Sequence, residues 1–496
     1  MAMAGLAVSE EPVYFTDPNL QADVEEALGI YWPTPTDMLY LTELDASKRG
    51  IFDLTGLEYA TNLTGLGLIN NKVNDVSALE ALTNLTSLQL DRNQISDISA
   101  FSNLTNLKSL CLRGNQIGDV SALKELTNLT SLLLSQNQVS DISALSNLTN
   151  LKTLWLNRNH ISDISVLGGL RNLTNLQLGE NQISDISVLS NLMNLTGLCL
   201  RENQISDISA LSGLTNLECL YLSSNHISDI SPLLDLTNLT DLRIARNQIN
   251  DIAAVSGLTN LTALFLHQNQ INDISALSNL TNLKVLMLRT NHISNISALK
   301  ELMNLTNLEL TNNQISDISV LSGLTSIHYL NIEQNQISDI SALSNLTNLN
   351  TLWLSDNQII DISSLSGLMN LATLSLRDNQ VNDISALLEL TNLKYLDLLN
   401  NPLDTSAYYI YLPLISSFNP KLTSLTLAYH PNANPLTDDW GVELPNLIEF
   451  TNRFGKTGCG EQNDWCGHTD LNQSGSVDVN DFAELLEYYL KALSDE

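Results

Sequence analysis

Near the end of the 496-residue chain, oxygen-bearing side chains recur at alternate positions of the stretch "DLNQSGSVDVND". Asp470, Asn472, Ser474, Ser476, Asp478 and Asp481 stand at positions 1, 3, 5, 7, 9 and 12 of a twelve-residue loop, with Gly475 at position 6. Calcium is a hard cation that takes six to eight oxygen ligands, and such a loop wraps it with a glycine at the sharp turn. On this reading Asp470 and Asp481 are direct carboxylate ligands. Asn472 and Ser474 give side-chain oxygens, Ser476 gives its carbonyl, and Asp478 acts directly or through water. The competing reading is an Asp-rich helix start without an ion. The loop register, Gly475 and the amphipathic exit favour calcium, since Phe482, Leu485, Leu486 and Tyr489 share one face of the helix predicted from Asp481 to Leu493.

Just upstream, Cys459 and Cys466 lie in the polar, glycine-flanked stretch "CGEQNDWCG". A close pair there suits a local disulfide and an oxidising compartment. Two thiols with only His468 beside them exclude a four-thiolate zinc site. The other cysteines, Cys111, Cys199 and Cys219, are too separated to pair readily. No nucleophile–base–orienter set, phosphate loop or metal-hydrolase motif occurs, so enzymatic activity is not expected.

The elements that would carry these residues are dictated by a repeat. The pattern L-x-x-L-x-L-x-x-N-x-[IV] recurs sixteen times, its Asn falling every 22 residues from Asn71 to Asn401, after one degenerate copy with Arg49 in that slot. The L-x-L alternation is a short strand with two side chains inward. The Asn suits buried backbone groups at a tight turn. The remainder, "ISDISALSNLTNL", is too short in apolar residues for a full helix and fits one 3₁₀ turn. One unit cannot bury its leucines but a stack can, which predicts an α/β solenoid with parallel strands on a concave face and 3₁₀ turns on a convex one.

One set of positions varies between repeats, and one further column does not. The outward residue between the strand leucines includes Trp155, Tyr221, Arg243, Phe265, Met287 and Trp353, and arginine recurs just before the Asn at Arg92, Arg113, Arg158, Arg201, Arg246, Arg289 and Arg377. Exposed aromatics with Met and Arg have the composition of a protein-binding hot spot, although the same rings can stack on sugars. Trp155, Arg158, Arg201, Tyr221, Arg243, Arg246, Phe265, Met287, Arg289 and Trp353 are therefore the candidate partner-binding residues. Drift at unconstrained surface positions is the alternative, and it rarely supplies large aromatics. The further column is an Asp four residues past each Asn from Asn71 to Asn379, with Asn295 once in its place; it reads as a turn cap rather than a row of cation sites. His160, His226 and His292 recur three repeats apart, about 14 Å by strand spacing, too far to share a metal. The many Asn-Leu-Thr sequons belong to the consensus and say little about glycosylation.

Residues 37–404 resemble the 22-residue class of leucine-rich repeats, to which the bacterial internalins belong. The ends agree with that resemblance. "DPNLQADVEEALGI" resembles a helical N-terminal cap (residues 1–36, with the leader), and residues 405–433 resemble the aromatic segment that closes the last repeat. Residues 434–496 resemble a type I dockerin, a small all-α module built on EF-hand-type calcium loops. Its first half, "DDWGVELPNLIEFTNRFG", has lost the loop residues, and Ser474 replaces the usual Asp. That resemblance implies anchoring to a cohesin-like partner.

Composition bounds the rest. A formal charge of −32 disfavours nucleic acid and anionic membranes, and no apolar run reaches membrane-spanning length. Residues 1–8 are small and apolar without a preceding basic residue, and read either as a leader or as the tail of a signal peptide. The expectation is a secreted or surface-bound monomer that recognises a protein or glycan and carries a Ca²⁺-binding tail. A component of a polysaccharide-degrading system and an intracellular phosphatase-regulator-like scaffold are the rivals. Free thiols at Cys459 and Cys466 would favour the scaffold.

Overall fold

The computed structural model describes residues 10–427, which belong to two compact units, residues 1–265 and 266–496. In the first unit, helix α1 (Pro18–Leu28) starts at the buried Asp17, whose Oδ1 accepts from the Asn19 and Leu20 N–H groups, and stops at Gly29 in a left-handed conformation. A single helical turn, α2 (Pro35–Met38), follows. Strands then run from β1 (Glu43–Asp45) and β2 (Gly65–Gly67) at intervals of 22 residues to β11 (Ala263–Phe265). Each has three residues and pairs in parallel with its neighbour, leucine opposite leucine, as in Leu220, Leu242 and Leu264. The second unit repeats this from β12 (Val285–Met287) to β17 (Tyr395–Asp397), after which α3 (Leu412–Phe418) intervenes and β18 (Ser424–Thr426) pairs with β17 outside the 22-residue interval. The consensus leucines and isoleucines are buried throughout both units, so the short strands and 3₁₀ turns follow the expected pattern.

The asparagines form a ladder. Asn225 Oδ1 accepts the Ile205 N–H at 3.0 Å, and its amide donates to the Leu200 and Leu222 carbonyls, each at 3.0 Å. Each carbonyl is shared, because Asn203 also donates to Leu200 and Asn247 to Leu222. The residue before each ladder Asn has positive φ, from Asn70 to Asn400, yet Gly114 is the one glycine there, and most of the others, such as Arg92, Glu180 and Thr290, are types that seldom adopt it. The turn must pay a left-handed residue in every repeat, and non-glycine residues accept that because the stack on either side fixes them.

The sequons conceal a second ladder. Asn84 donates to the Thr61 carbonyl at 2.9 Å and Thr86 Oγ1 to the Thr64 carbonyl at 3.1 Å, so the Asn and Thr of one sequon both tie a repeat to its predecessor. Equivalent bonds recur at Asn128 and Thr130.

The Asp column caps the 3₁₀ turns, from one residue further out than a usual N-cap. Asp207 Oδ1 accepts the Ser209 N–H at 2.8 Å while the cap position itself is the buried Ile208, and Asn295 serves Ser297 equally at 2.9 Å. This is an Asx turn. The carboxyls of Asp97, Asp141, Asp163, Asp185, Asp229, Asp273, Asp317 and Asp339 are held below the ordinary aspartate range, first by the serine backbone N–H and then by the serine side chain. The unfolded chain lacks those bonds. Each therefore adds stability that is present above the unfolded pKa and lost as pH falls through the lowered, folded one. Thermal stability should drop below about pH 4. Changing several of these residues to Asn should remove part of that acid dependence; an unchanged acid limb would mean that the caps do not set it.

Candidate partner-binding face

Alternation in each three-residue strand buries the central leucine and turns its two neighbours to one face, where the 22-residue register stacks equivalent positions at about 4.8 Å. In the first unit this brings together Tyr221 on β9 (Cys219–Tyr221), Arg243 on β10 (Asp241–Arg243) and Phe265 on β11. The Arg243 guanidinium carbon lies 4.7 Å from the centroid of each ring. Asp241, two residues earlier on the same face, holds the guanidinium through Nε at 3.0 Å and Nη2 at 2.8 Å, and accepts the Tyr221 hydroxyl at 3.1 Å. Burial, together with the Asp241 charge, pushes the Tyr221 phenol up to about 12. The result is a fixed Tyr–Arg–Phe stack whose side chains are locked before any partner arrives.

The other candidates are placed as follows. Trp155, on β6 (Thr153–Trp155), donates its indole N–H to Asn175 at 3.1 Å and has the Arg113 guanidinium 5.7 Å from its ring centroid. Arg158 and Arg201 converge on one carboxylate, Glu180; Arg158 reaches it at 2.7 Å, and Arg201 also meets Glu202 at 3.2 Å. Arg246 is exposed. In the second unit, half-buried Met287 stands on β12, Arg289 faces Glu309 at 3.8 Å, and the Trp353 ring lies 5.4 Å from that of Tyr395.

One correction to the sequence-based picture follows. The rings of Trp155, Tyr221, Phe265 and Trp353 are half-buried along the sheet rather than standing clear of it. The structure also adds acids to the face, because Asp91, Glu180, Asp241, Glu309 and Asp378 engage Arg113, Arg158, Arg201, Arg243, Arg289 and Arg377. These acids were missed as site residues. The signal for two of them was available: Asp91 precedes Arg113 by 22 residues and Glu180 follows Arg158 by 22, so reading each variable column against its neighbour finds that pair, whereas Asp241 and Asp378 lie within the repeat of their own arginine.

Cys111, Cys199 and Cys219 are free thiols, and burial pushes those of Cys111 and Cys199 up, which makes them poor nucleophiles. Among the described residues no three His, Cys, Asp or Glu side chains gather in a metal-binding group, and no helix is long and apolar enough to cross a membrane. The calcium candidates Asp470, Asn472, Ser474, Ser476, Asp478 and Asp481, and the pair Cys459 and Cys466, lie outside the described residues.

Comparison with known proteins agrees with this architecture. The family described as Leucine Rich repeats (2 copies) matches overlapping stretches from 61–103 to 347–387, more than half of the chain. Among solved structures, an internalin, InlF, from Listeria monocytogenes is 34% identical, with 80% of this chain and 99% of that chain covered and a TM-score of 0.52. The functional domain of InlJ from the same organism is 25% identical over 76% of this chain and 77% of that one, with a TM-score of 0.58. A leucine-rich-repeat protein of Leptospira interrogans shares the fold at 24% identity and a TM-score of 0.66, covering 79% and 97%. Comparison with the curated proteins gave no match.

Proposed function

We propose, from the premise that this chain belongs to the leucine-rich-repeat family and is internalin-like, that it is a secreted recognition protein binding a protein partner through its strand face. The observation that carries this reading is the Tyr221–Arg243–Phe265 stack, clamped by Asp241. Aromatic and arginine anchors dominate binding energy when they are fixed and can be fully desolvated, and rings already packed on a guanidinium lose little entropy on docking. Pairing within the face also leaves no uncompensated arginine in this stack for the partner to neutralise. The stack therefore favours a mixed apolar and polar protein surface over a purely anionic ligand. Glycan stacking on the same rings is the second reading, supported by the partial exposure of Trp155 and Tyr221.

The tail is read as a calcium-dependent anchor. Its support is the spacing of Asp470, Asn472, Ser474, Ser476, Asp478 and Asp481 around Gly475, and the resemblance to a dockerin makes a cohesin-like protein its partner. A binding role without catalysis accounts for both ends.

The face is tested by Tyr221→Ala with Phe265→Ala. Affinity for a partner captured from the native secretome should fall at least tenfold, in line with hot-spot truncation. The melting temperature should move little, because the strand leucines beneath are untouched. Retention of full affinity, or collapse of the fold, would remove the stack from the binding site.

A further inference from the structure

Among the described residues, the most exposed aromatic side chains lie away from the strand positions. Tyr14, Tyr31, Trp32 and Tyr40 are 75%, 83%, 64% and 75% exposed, all within the segment that precedes β1. They are held near one another by the backbone. The Val13 N–H donates to the Pro33 carbonyl at 2.8 Å and the Thr36 N–H to the Glu10 carboxylate at 3.2 Å, which lays residues 10–14 along residues 33–36. Glu25 accepts the Trp32 N–H at 3.1 Å, the Thr34–Asp37 capping box fixes α2, and the Tyr40 N–H bonds the Asp37 carbonyl at 3.0 Å. Four large rings thus face solvent from loops whose backbone is pinned at several points.

We propose that these loops form a second recognition surface, for an arginine- or lysine-rich segment of a protein partner. Charge complementarity selects that occupant. Residues 10–62 carry eleven acids against two bases, Lys48 and Arg49, and Arg49 is already engaged by Asp23 at 3.1 Å. Glu10, Glu11 and Glu26 are exposed in the same region as the four rings. Aromatic faces attract guanidinium and ammonium groups, and carboxylates beside them add Coulombic steering, so one cationic side chain can satisfy both. An anionic membrane or polymer meets the opposite: a surface of its own sign. Large exposed aromatics rimmed by polar and charged residues mark an interaction site. The tyrosine hydroxyls and the Trp32 indole N–H supply polar edges for a peptide backbone.

The test titrates an eight-residue peptide of alternating arginine and glycine into the full chain at physiological salt, followed by calorimetry. The triple variant Tyr31→Ala, Trp32→Ala, Tyr40→Ala leaves the net charge unchanged and should bind at least tenfold more weakly. Thermal melting checks its fold, and Tyr31→Ala with Tyr40→Ala, which leaves the left-handed Trp32 in place, gives the same direction with a smaller loss. Equal affinity for wild type and variants would overturn the proposal, reducing binding to the general acidic field. So would rings that retain a neutral soluble β-glucan while ignoring the peptide, or a dimer by sedimentation that the triple variant abolishes.

Discussion

Replacing Asn225 by Ala should lower the stability of the repeat array by ~2–3 kcal/mol, the cost of one orphaned buried donor and two weakened acceptors. The count comes from the ladder itself. Removing the side chain strands the Ile205 N–H, whose acceptor is Asn225 Oδ1. The Leu200 and Leu222 carbonyls each lose one of two donors, and Asn203 and Asn247 still serve them. Two half-satisfied carbonyls therefore cost less than two orphans, which keeps the estimate well below the sum of three lost bonds. Asn225 is 6% exposed, so water does not replace the missing acceptor. Gln204→Ala, at an exposed side chain one residue past the neighbouring ladder Asn, should change stability by less than ~0.5 kcal/mol. Denaturant unfolding of both variants decides the matter; equal losses would mean that the ladder does not hold the stack.

Calcium binding should disappear entirely when Asp470 and Asp481 are both changed to Ala. On the calcium reading proposed above, these residues are the carboxylate ligands at the first and last positions of the loop, and a hard divalent cation would lose both together. Titration of calcium into the full chain should show one binding event at micromolar to millimolar metal. Ser474 in place of a carboxylate lowers the ligand charge and moves the affinity toward the weak end of that range. At a hundredfold excess over the dissociation constant the bound ion stabilises the tail by ~2.7 kcal/mol through mass action, and a chelator should mimic the double variant. The melting of the repeat array should not change in either case. Magnesium should substitute poorly, because it demands a smaller, more rigid octahedron. Absence of a calcium signal at millimolar metal would reduce the loop to a capped helix start and leave the anchoring role without support.

The repeat made the architecture legible without coordinates. Leu-x-Leu spacing identifies the strand, the 22-residue interval identifies which residues stack, and Asn225 or Asp207 announces its role through hydrogen-bonding capacity at a fixed offset. Stacking identical units makes every long-range neighbour a sequence neighbour at a constant separation. Outside that periodicity the sequence ran out. Little in the letters showed that Arg92, Glu180 and Thr290 would share a left-handed backbone, since glycine stands in that slot only at Gly114 and asparagine only at Asn70, Asn312 and Asn400. Nor did composition separate rings lying along the strand face, such as Tyr221 and Phe265, from rings left in water, such as Tyr31 and Tyr40. An outward position settles only which side of the sheet a side chain leaves from. Its rotamer is then chosen by neighbours: Arg243 and Asp241 draw Tyr221 down onto the sheet, whereas the loops before β1 offer Tyr31 and Tyr40 no such cover. Periodic packing is a one-dimensional property that a chain can spell out, while the exposure of a side chain depends on which groups the folded backbone brings beside it.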